Sequence, residues 1–321
     1  LKEILITNDD GFEAAGLLAL KEALSELDGV NVTIVAPSSE KSACAHSLTL
    51  TRPLRFIKLD DNFFKLDDAT PSDCVYLALH ALYNKKPDLV ISGINHGANL
   101  GEDITYSGTC GAAMEGVLQG IKSIAFSQFY TNNSLNELGF NLAKEVVKFI
   151  VPKVLEGEIL PNAREFLNVN IPAVTSKNFK GYTVVPAGKR TYATHATLNR
   201  NPRGIEYYWL GNAALDYEGG EPSDISKVNE GFATLTPIKL DMTKVFASYY
   251  IVYVGIVTAS VTAPAFEMTT FGNFAFWFGF ITFVLLFIMV SIRHVKFAQI
   301  PEPAKPLICI YTAPLSLCIA G

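Results

Sequence analysis

The chain has 321 residues, 49% of them apolar and 18% charged, with a formal net charge of −5. That charge is uneven, net −7 over residues 1–242 and net +2 over residues 243–321. The pattern excludes a disordered chain, a disulfide-built secreted domain and a wholly soluble protein; the acidic front also argues against nucleic-acid binding, having no basic stripe to displace counterions from phosphates.

The chain opens on a strand, Glu3–Thr7, with no signal peptide before Ile4. Leu1 in place of Met fits a non-standard start codon or a trimmed fragment. Asn8-Asp9-Asp10-Gly11 is a cluster of turn formers, and Ala14, Leu17, Leu18, Leu24 and Leu27 then give a helical stripe. Asn31–Ala36 is a second strand, ended by Pro37-Ser38-Ser39. Alternation over Leu48–Leu50, Leu54–Leu59 and Phe63–Leu66 predicts small strands or hairpins. Pro71 starts a helix through Leu82, and Asp88–Ser92 is a buried strand followed by Gly-rich sequence to Thr109. A helix from Gly111 to Gln119 leads into strand Ser123–Ser127, and Leu135–Val151 is helical by period. Strands over 166–171, 181–185, 205–210 and 231–236 follow. Strands alternating with helices predict an α/β fold with a parallel, doubly wound sheet and a β-rich arm. The five cysteines, Cys44, Cys74, Cys110, Cys309 and Cys318, are widely spaced with no CxxC pair. They read as reduced thiols in a cytoplasmic compartment, with neither zinc site nor disulfide framework.

Ligands of such sheets bind outside the carboxyl ends of the strands. After the first strand come Asn8, Asp9 and Asp10; after the second, Ser38, Ser39 and Ser42; after the Asp88–Ser92 strand, Gly93, Asn95, His96 and Asn99. This oxygen-rich set suits a hard divalent cation, Mg²⁺ or Mn²⁺, and adjacent carboxylates repel unless a cation holds them. An Asp after a strand also fits an Asx turn or a helix cap. Ser107-Gly108-Thr109 precedes small residues that open a helix, where backbone N–H groups bind phosphate; an ordinary Ser/Thr cap has the same sequence. Metal and phosphate cradle on one rim point to phosphoryl chemistry, with one carboxylate either accepting a proton or attacking phosphorus.

Five blocks carry a resemblance: ILITNDDG at 4–11, VAPSSEKSACAHS at 35–47, TPSDCV at 70–75, DLVISGINHGANLG at 88–101 and YSGT at 106–109, joined by the 204–238 region. Together they resemble the SurE family of metal-dependent nucleoside 5′(3′)-monophosphate phosphatases, over residues 1–241, with a Rossmann-like core. The resemblance implies Asp9, Asp10, Ser42 and Asn95 as metal ligands. It implies Asn8, Gly93, Asn95, Ser107, Gly108 and Thr109 around the phosphate, and a catalytic role for Asp9 with Asn8 and Ser107. It also implies a homodimer or tetramer, with a hairpin arm over 189–210 holding Lys189, Arg190, Tyr192, His195, Arg200 and Arg203. That arm reads as a solvated or subunit-contacting hairpin, with a basic substrate-phosphate contact as the sharper alternative. His46, His80 and His195 read as structural; His96 lies nearest the site.

In the tail, 246–266 and 268–292 are uncharged runs long enough to span a bilayer, with Glu267 between them. Lys244 before and Arg293, His294 and Lys296 after place both outer ends in the cytoplasm and predict a transmembrane helical hairpin. Residues 307–321 begin a partial third span and end abruptly. The stretches 249–267 and 276–280 resemble the TehA-like group of the tellurite-resistance/dicarboxylate transporter family. Two spans and a fraction build no closed transport path. Three explanations compete for the junction near Asp241: a natural fusion anchoring the enzyme, a frameshift or gene-joining event, and an assembly artefact. The function expected is nucleoside monophosphate hydrolysis, cytoplasmic for 1–241 and membrane-anchored through 246–292. The alternatives are a transport component whose front domain only binds nucleotide, and a non-catalytic binding protein.

Overall fold

The computed structural model describes residues 1–131, 138–159, 162, 164–191, 196–210, 216–217, 222–240 and 269–296. The chain splits into two compact units, Leu1–Leu240 and Asp241–Gly321. In the first, β1 (Lys2–Thr7), α1 (Ala15–Ser25), β2 (Val30–Pro37), β3 (Phe56–Asp60), β4 (Phe63–Leu66) and α2 (Pro71–Ala81) come first. Then follow β5 (Leu89–His96), α3 (Gly108–Leu118), β6 (Lys122–Gln128), α4 (Asn141–Glu156), β7 (Glu165–Ile171) and β8 (Tyr182–Val184). The rest is β9 (Arg190–Thr191), β10 (Ala196–Arg200), β11 (Glu206–Leu210), β12 (Asp216–Tyr217), α5 (Asp224–Glu230) and β13 (Ala233–Lys239).

The main sheet runs β3-β4-β2-β1-β5-β6-β7-β13-β8, and the arm holds the pairs β10-β11 and β12-β9. Strand alternation sorts the core. Ile4 and Ile6 of β1 face α1 and α4, against Leu17, Leu20, Val147 and Ile150. Leu5 faces the other way, with Val75, Ala78 and Ala112 of α2 and α3. Each such aliphatic side chain stabilises the fold by about 1.5–3 kcal/mol. A helix layer therefore covers each face, as the mainly parallel sheet requires. From β1 the sheet extends to β2 on one side and to β5 on the other. The switch point lies between them, so the carboxyl ends of β1 and β5 form a crevice.

Several elements differ from expectation. The sheet is mixed: β3–β4 and β7–β13 pair antiparallel. The strand at Leu48–Leu50 is absent; that stretch is loop. Helix α3 starts three residues before Gly111, because Ser107 caps it by accepting from Cys110 N at 3.0 Å. Helix α4 runs through Pro152 to a left-handed cap at Gly157. Burial of Ile150, Val151 and Val154 offsets the bond that Pro152 cannot donate. Helix α5 had no periodic signal, being a single short turn pair opened by a Ser223–Ser226 capping box.

In the second unit one helix is described, α6 (Thr269–Lys296). The first expected span, the partial third one and the junction at 241–243 lie outside the described residues, as do Tyr192 and His195. The described side chains of α6 fall in separate groups of six or fewer. Among the described residues no helix is long and apolar enough to cross a membrane, so the expected transmembrane hairpin is not seen.

Candidate active site

The first side of the crevice is the turn after β1. Asn8 is fully buried. Its Nδ2 donates to Gly11 O at 2.8 Å, leaving Oδ1 without a partner. Asp9 is 5% exposed and accepts from the Thr109 hydroxyl at Oδ1. Burial pushes the Asp9 carboxyl up to about 6; Thr109 opposes this, and the Asp10 charge adds to it. Asp10 accepts from His96 N at 3.0 Å. Burial raises its carboxyl too, against the opposing bond from His96 and with help from the Glu40 charge.

Strand β5 supplies the second side. Its pairing with β6 shifts register between Ser92 and Asn95. Gly93 sits there at φ 130°, and a Cβ on it would meet Phe126 O at 2.3 Å, so only glycine fits. The strand end thereby turns toward the crevice, and Asn95 Nδ2 donates to Gly97 O at 2.9 Å.

The third side is the start of α3. Ser107 is 6% exposed and Thr109 fully buried. The N–H groups of Gly108 and Thr109 lie in the first turn, where a helix offers no acceptor of its own. A Cβ on Gly108 would stand 2.7 Å from Cys44 Sγ and 2.9 Å from Asp9 Cβ, so the helix start and β1 touch here.

A loop from β2 closes the fourth side. Lys41 N donates to Asp9 O at 2.7 Å. Ser42 is exposed, and its hydroxyl donates to Glu40 Oε1 at 2.6 Å.

Asp9, Asp10, Ser42, Asn95 and Ser107 line one open cleft of about 490 Å³. Asn8, Gly93, Gly108 and Thr109 do not line it; they shape its floor from beneath. Sequence reasoning missed Glu40, Asp103 and Tyr106, which also line the cleft, as do His96 and Asn99. The acidic excess of the front part was the one available signal. His46 pairs with Glu115, and the His80 ring lies 4.5 Å from that of Tyr76, tilted by 48°. In the arm, Arg200 pairs with Glu206 of its own hairpin.

The donor set fits a divalent cation. Two adjacent carboxylates with raised affinity for protons sit in a cleft also lined by Glu40 and Asp103, a crowding of acidic groups that a cation would offset. No group of three or more His, Cys, Asp or Glu side chains that could hold a metal occurs among the described residues. The cation would therefore rely on Asp9 and Asp10 completed by the neutral oxygens of Ser42 and Asn95.

Residues 4–194 match the family model described as Survival protein SurE. Over 243 residues, 76% of this chain, it is 93% identical to the 5′-nucleotidase SurE of Campylobacter concisus, covering 94% of that protein. It is 82% identical to the 5′-nucleotidase SurE of Campylobacter curvus over the same length, covering 95% of it. Among solved structures, the SurE protein from Aquifex aeolicus superposes with a TM-score of 0.65 at 41% identity, over 78% of this chain and 96% of that one.

Proposed function

The chain belongs to the SurE family, and from that premise we propose that it is a 5′-nucleotidase, hydrolysing nucleoside 5′(3′)-monophosphates to nucleoside and phosphate. One observation carries the reading: a buried Asp9 beside Asp10, against the open N-terminus of α3. The phosphate would rest at the start of α3, near the N–H of Gly108 and the hydroxyl of Ser107, where the helix dipole favours an anion. Gly93 lets the β5 backbone come close, and Asn8 braces the β1 turn from below.

Asp9, Asp10, Ser42 and Asn95 would hold Mg²⁺ or Mn²⁺, Ser42 releasing Glu40 to do so. A bound cation supplies charge neutralisation of the phosphoryl oxygens and a lowered pKa for water. Asp9 then acts either as the proton acceptor for the attacking water or as the nucleophile. The departing nucleoside oxygen takes a proton from solvent, so water and ester give alcohol and phosphate.

The exposed Leu198, Ile205, Tyr207, Tyr208 and Trp209 of the arm support a dimer or tetramer contact there. The free thiols of Cys44, Cys74 and Cys110 support a reducing, cytoplasmic setting for 1–241. For the tail we keep a membrane-associated reading. It is supported by the uncharged run 269–292 and by exposed Phe274, Trp277, Ile281 and Leu285. The transporter resemblance of the tail rests on its sequence alone, and no transport role is assigned.

The test is phosphate release from a panel of nucleoside monophosphates by the full chain and by residues 1–242. We expect release with Mn²⁺ or Mg²⁺ from both, and none with chelator. A folded, metal-loaded protein that binds nucleotide without releasing phosphate would overturn the enzymatic reading. Co-sedimentation of the full chain, but not of 1–242, with lipid vesicles checks the tail.

A further inference from the structure

The loop that carries Ser42 has little of its own to hold it. Ala43 and Ala45 both take left-handed φ values, 54° and 52°, which L-residues with a Cβ rarely adopt. Such backbone persists only where the surroundings over-determine it. Two backbone bonds tie it in, Lys41 N to Asp9 O at 2.7 Å and Ala45 N to Tyr106 O at 2.9 Å. Gly111 of α3 makes room: a Cβ there would stand 2.5 Å from Ala45 O.

Lys41 pairs with Asp68 at one end of the loop, and Thr49 donates to Asp73 at the other; between them the side-chain anchor is His46. Its Nε2 lies 2.8 Å from Glu115 Oε2. Glu115 is 4% exposed, and Gln119 Nε2 donates to its other oxygen at 2.9 Å. Burial pushes this carboxyl up, but the bonds from His46 and Gln119 outweigh it and hold it below the usual carboxylate range. A buried carboxylate deprived of such a donor is strongly penalised, so the loop stays where it keeps His46 in place. Glu115 projects from the same helix whose first turn forms the cleft, so the clamp fixes the loop relative to Ser107 and Gly108.

We propose that His46 is a positioning residue for the hydrolysis: its pair with Glu115 clamps residues 42–46 onto α3 and thereby sets Ser42 opposite Asp9 and Asp10. The inference rests on the assignment of Ser42 as a metal ligand. A merely stabilising pair would lower melting temperature and leave catalysis alone. A clamp alters loop dynamics and turnover together, and a residue that restores the donor restores both.

The experiment compares full-length wild type, His46→Ala and His46→Gln by amide hydrogen exchange and by phosphate release from AMP with saturating Mn²⁺. In His46→Ala the amides of 43–49 should exchange at least about tenfold faster, with α2 unchanged, and kcat should fall about tenfold with KM within about twofold. His46→Gln, whose side-chain amide can donate to Glu115, should recover both. Unchanged exchange in 43–49 overturns the clamp, and so does faster exchange with kcat within about twofold of wild type. A glutamine variant as impaired as the alanine variant overturns it too. Failure of the nucleotidase reading would look different: wild type itself would release no phosphate, and the exchange measurement alone would decide the clamp.

Discussion

Thr109 donates its hydroxyl to Asp9 Oδ1, joining the first turn of α3 to the end of β1 across 100 positions of sequence. The bond does two things. It fixes the Asp9 carboxylate against the helix N-terminus, and it favours the charged form of a carboxyl that burial would otherwise neutralise. Thr109→Val keeps the shape and removes the donor. In chelator the Asp9 pKa should then rise further. Carboxyl titration of the metal-free protein by NMR from pH 4 to 8 measures this, and an unmoved midpoint would detach Thr109 from the Asp9 titration.

Asp9 also has a stability signature. Its folded pKa, about 6, lies above the unfolded 3.8. The protonated form is therefore favoured by folding. Its contribution is complete below pH 3.8 and lost as pH rises through about 6, a loss of roughly 3 kcal/mol. Asp9→Asn still accepts from Thr109 and cannot ionise. In chelator, urea denaturation should find this variant more stable than wild type at pH 7 and indistinguishable at pH 4. Equal stability at both values would contradict the burial argument. Its kcat should fall at least about a hundredfold.

Gly108→Ala tests the contact between helix and strand. The new Cβ would press on Cys44 Sγ and on Asp9 Cβ at 2.7 and 2.9 Å. Overpacking of this kind costs about 1–3 kcal/mol. Activity should fall as Asp9 is displaced. Adding Cys44→Ala relieves only one neighbour, so it should recover part of the melting temperature and little of the kcat.

Asp224 is another buried carboxylate with a structural task. It accepts from Gly101 N at 2.8 Å and Gly188 N at 2.7 Å, tying the turn before Ser107 to the root of the arm. Asp224→Ala leaves those two donors without their acceptor and should destabilise the unit by about 2–4 kcal/mol. Denaturant titration reads the loss. A change under about 0.5 kcal/mol would mean that water replaces the carboxylate.

What the sequence made visible was local. Asn8-Asp9-Asp10 after β1, Asn95 at the end of β5 and the Ser107 cap follow from strand ends and turn chemistry, which neighbours in sequence decide. Helix α2 came out as expected because Thr70, Pro71 and Asp73 spell its start. What stayed hidden was carried by irregular segments meeting far-off partners: His46 on Glu115, Asp224 on Gly101. No periodicity encodes such contacts. The helix expected over 135–151 is observed over Asn141–Glu156, its far end carried past Pro152 by the buried apolar face around it.

Strand β13, the last of the first unit, is not an edge strand; it sits between β7 and β8. On the ribosome, everything needed for the cleft has emerged by α3, yet β7 waits with one open flank until residues 233–239 arrive. An open flank invites pairing with another chain. Biogenesis is thus exposed to misassembly late, after the chemistry-bearing half has closed, and whatever is translated directly behind β13 decides how long that interval lasts.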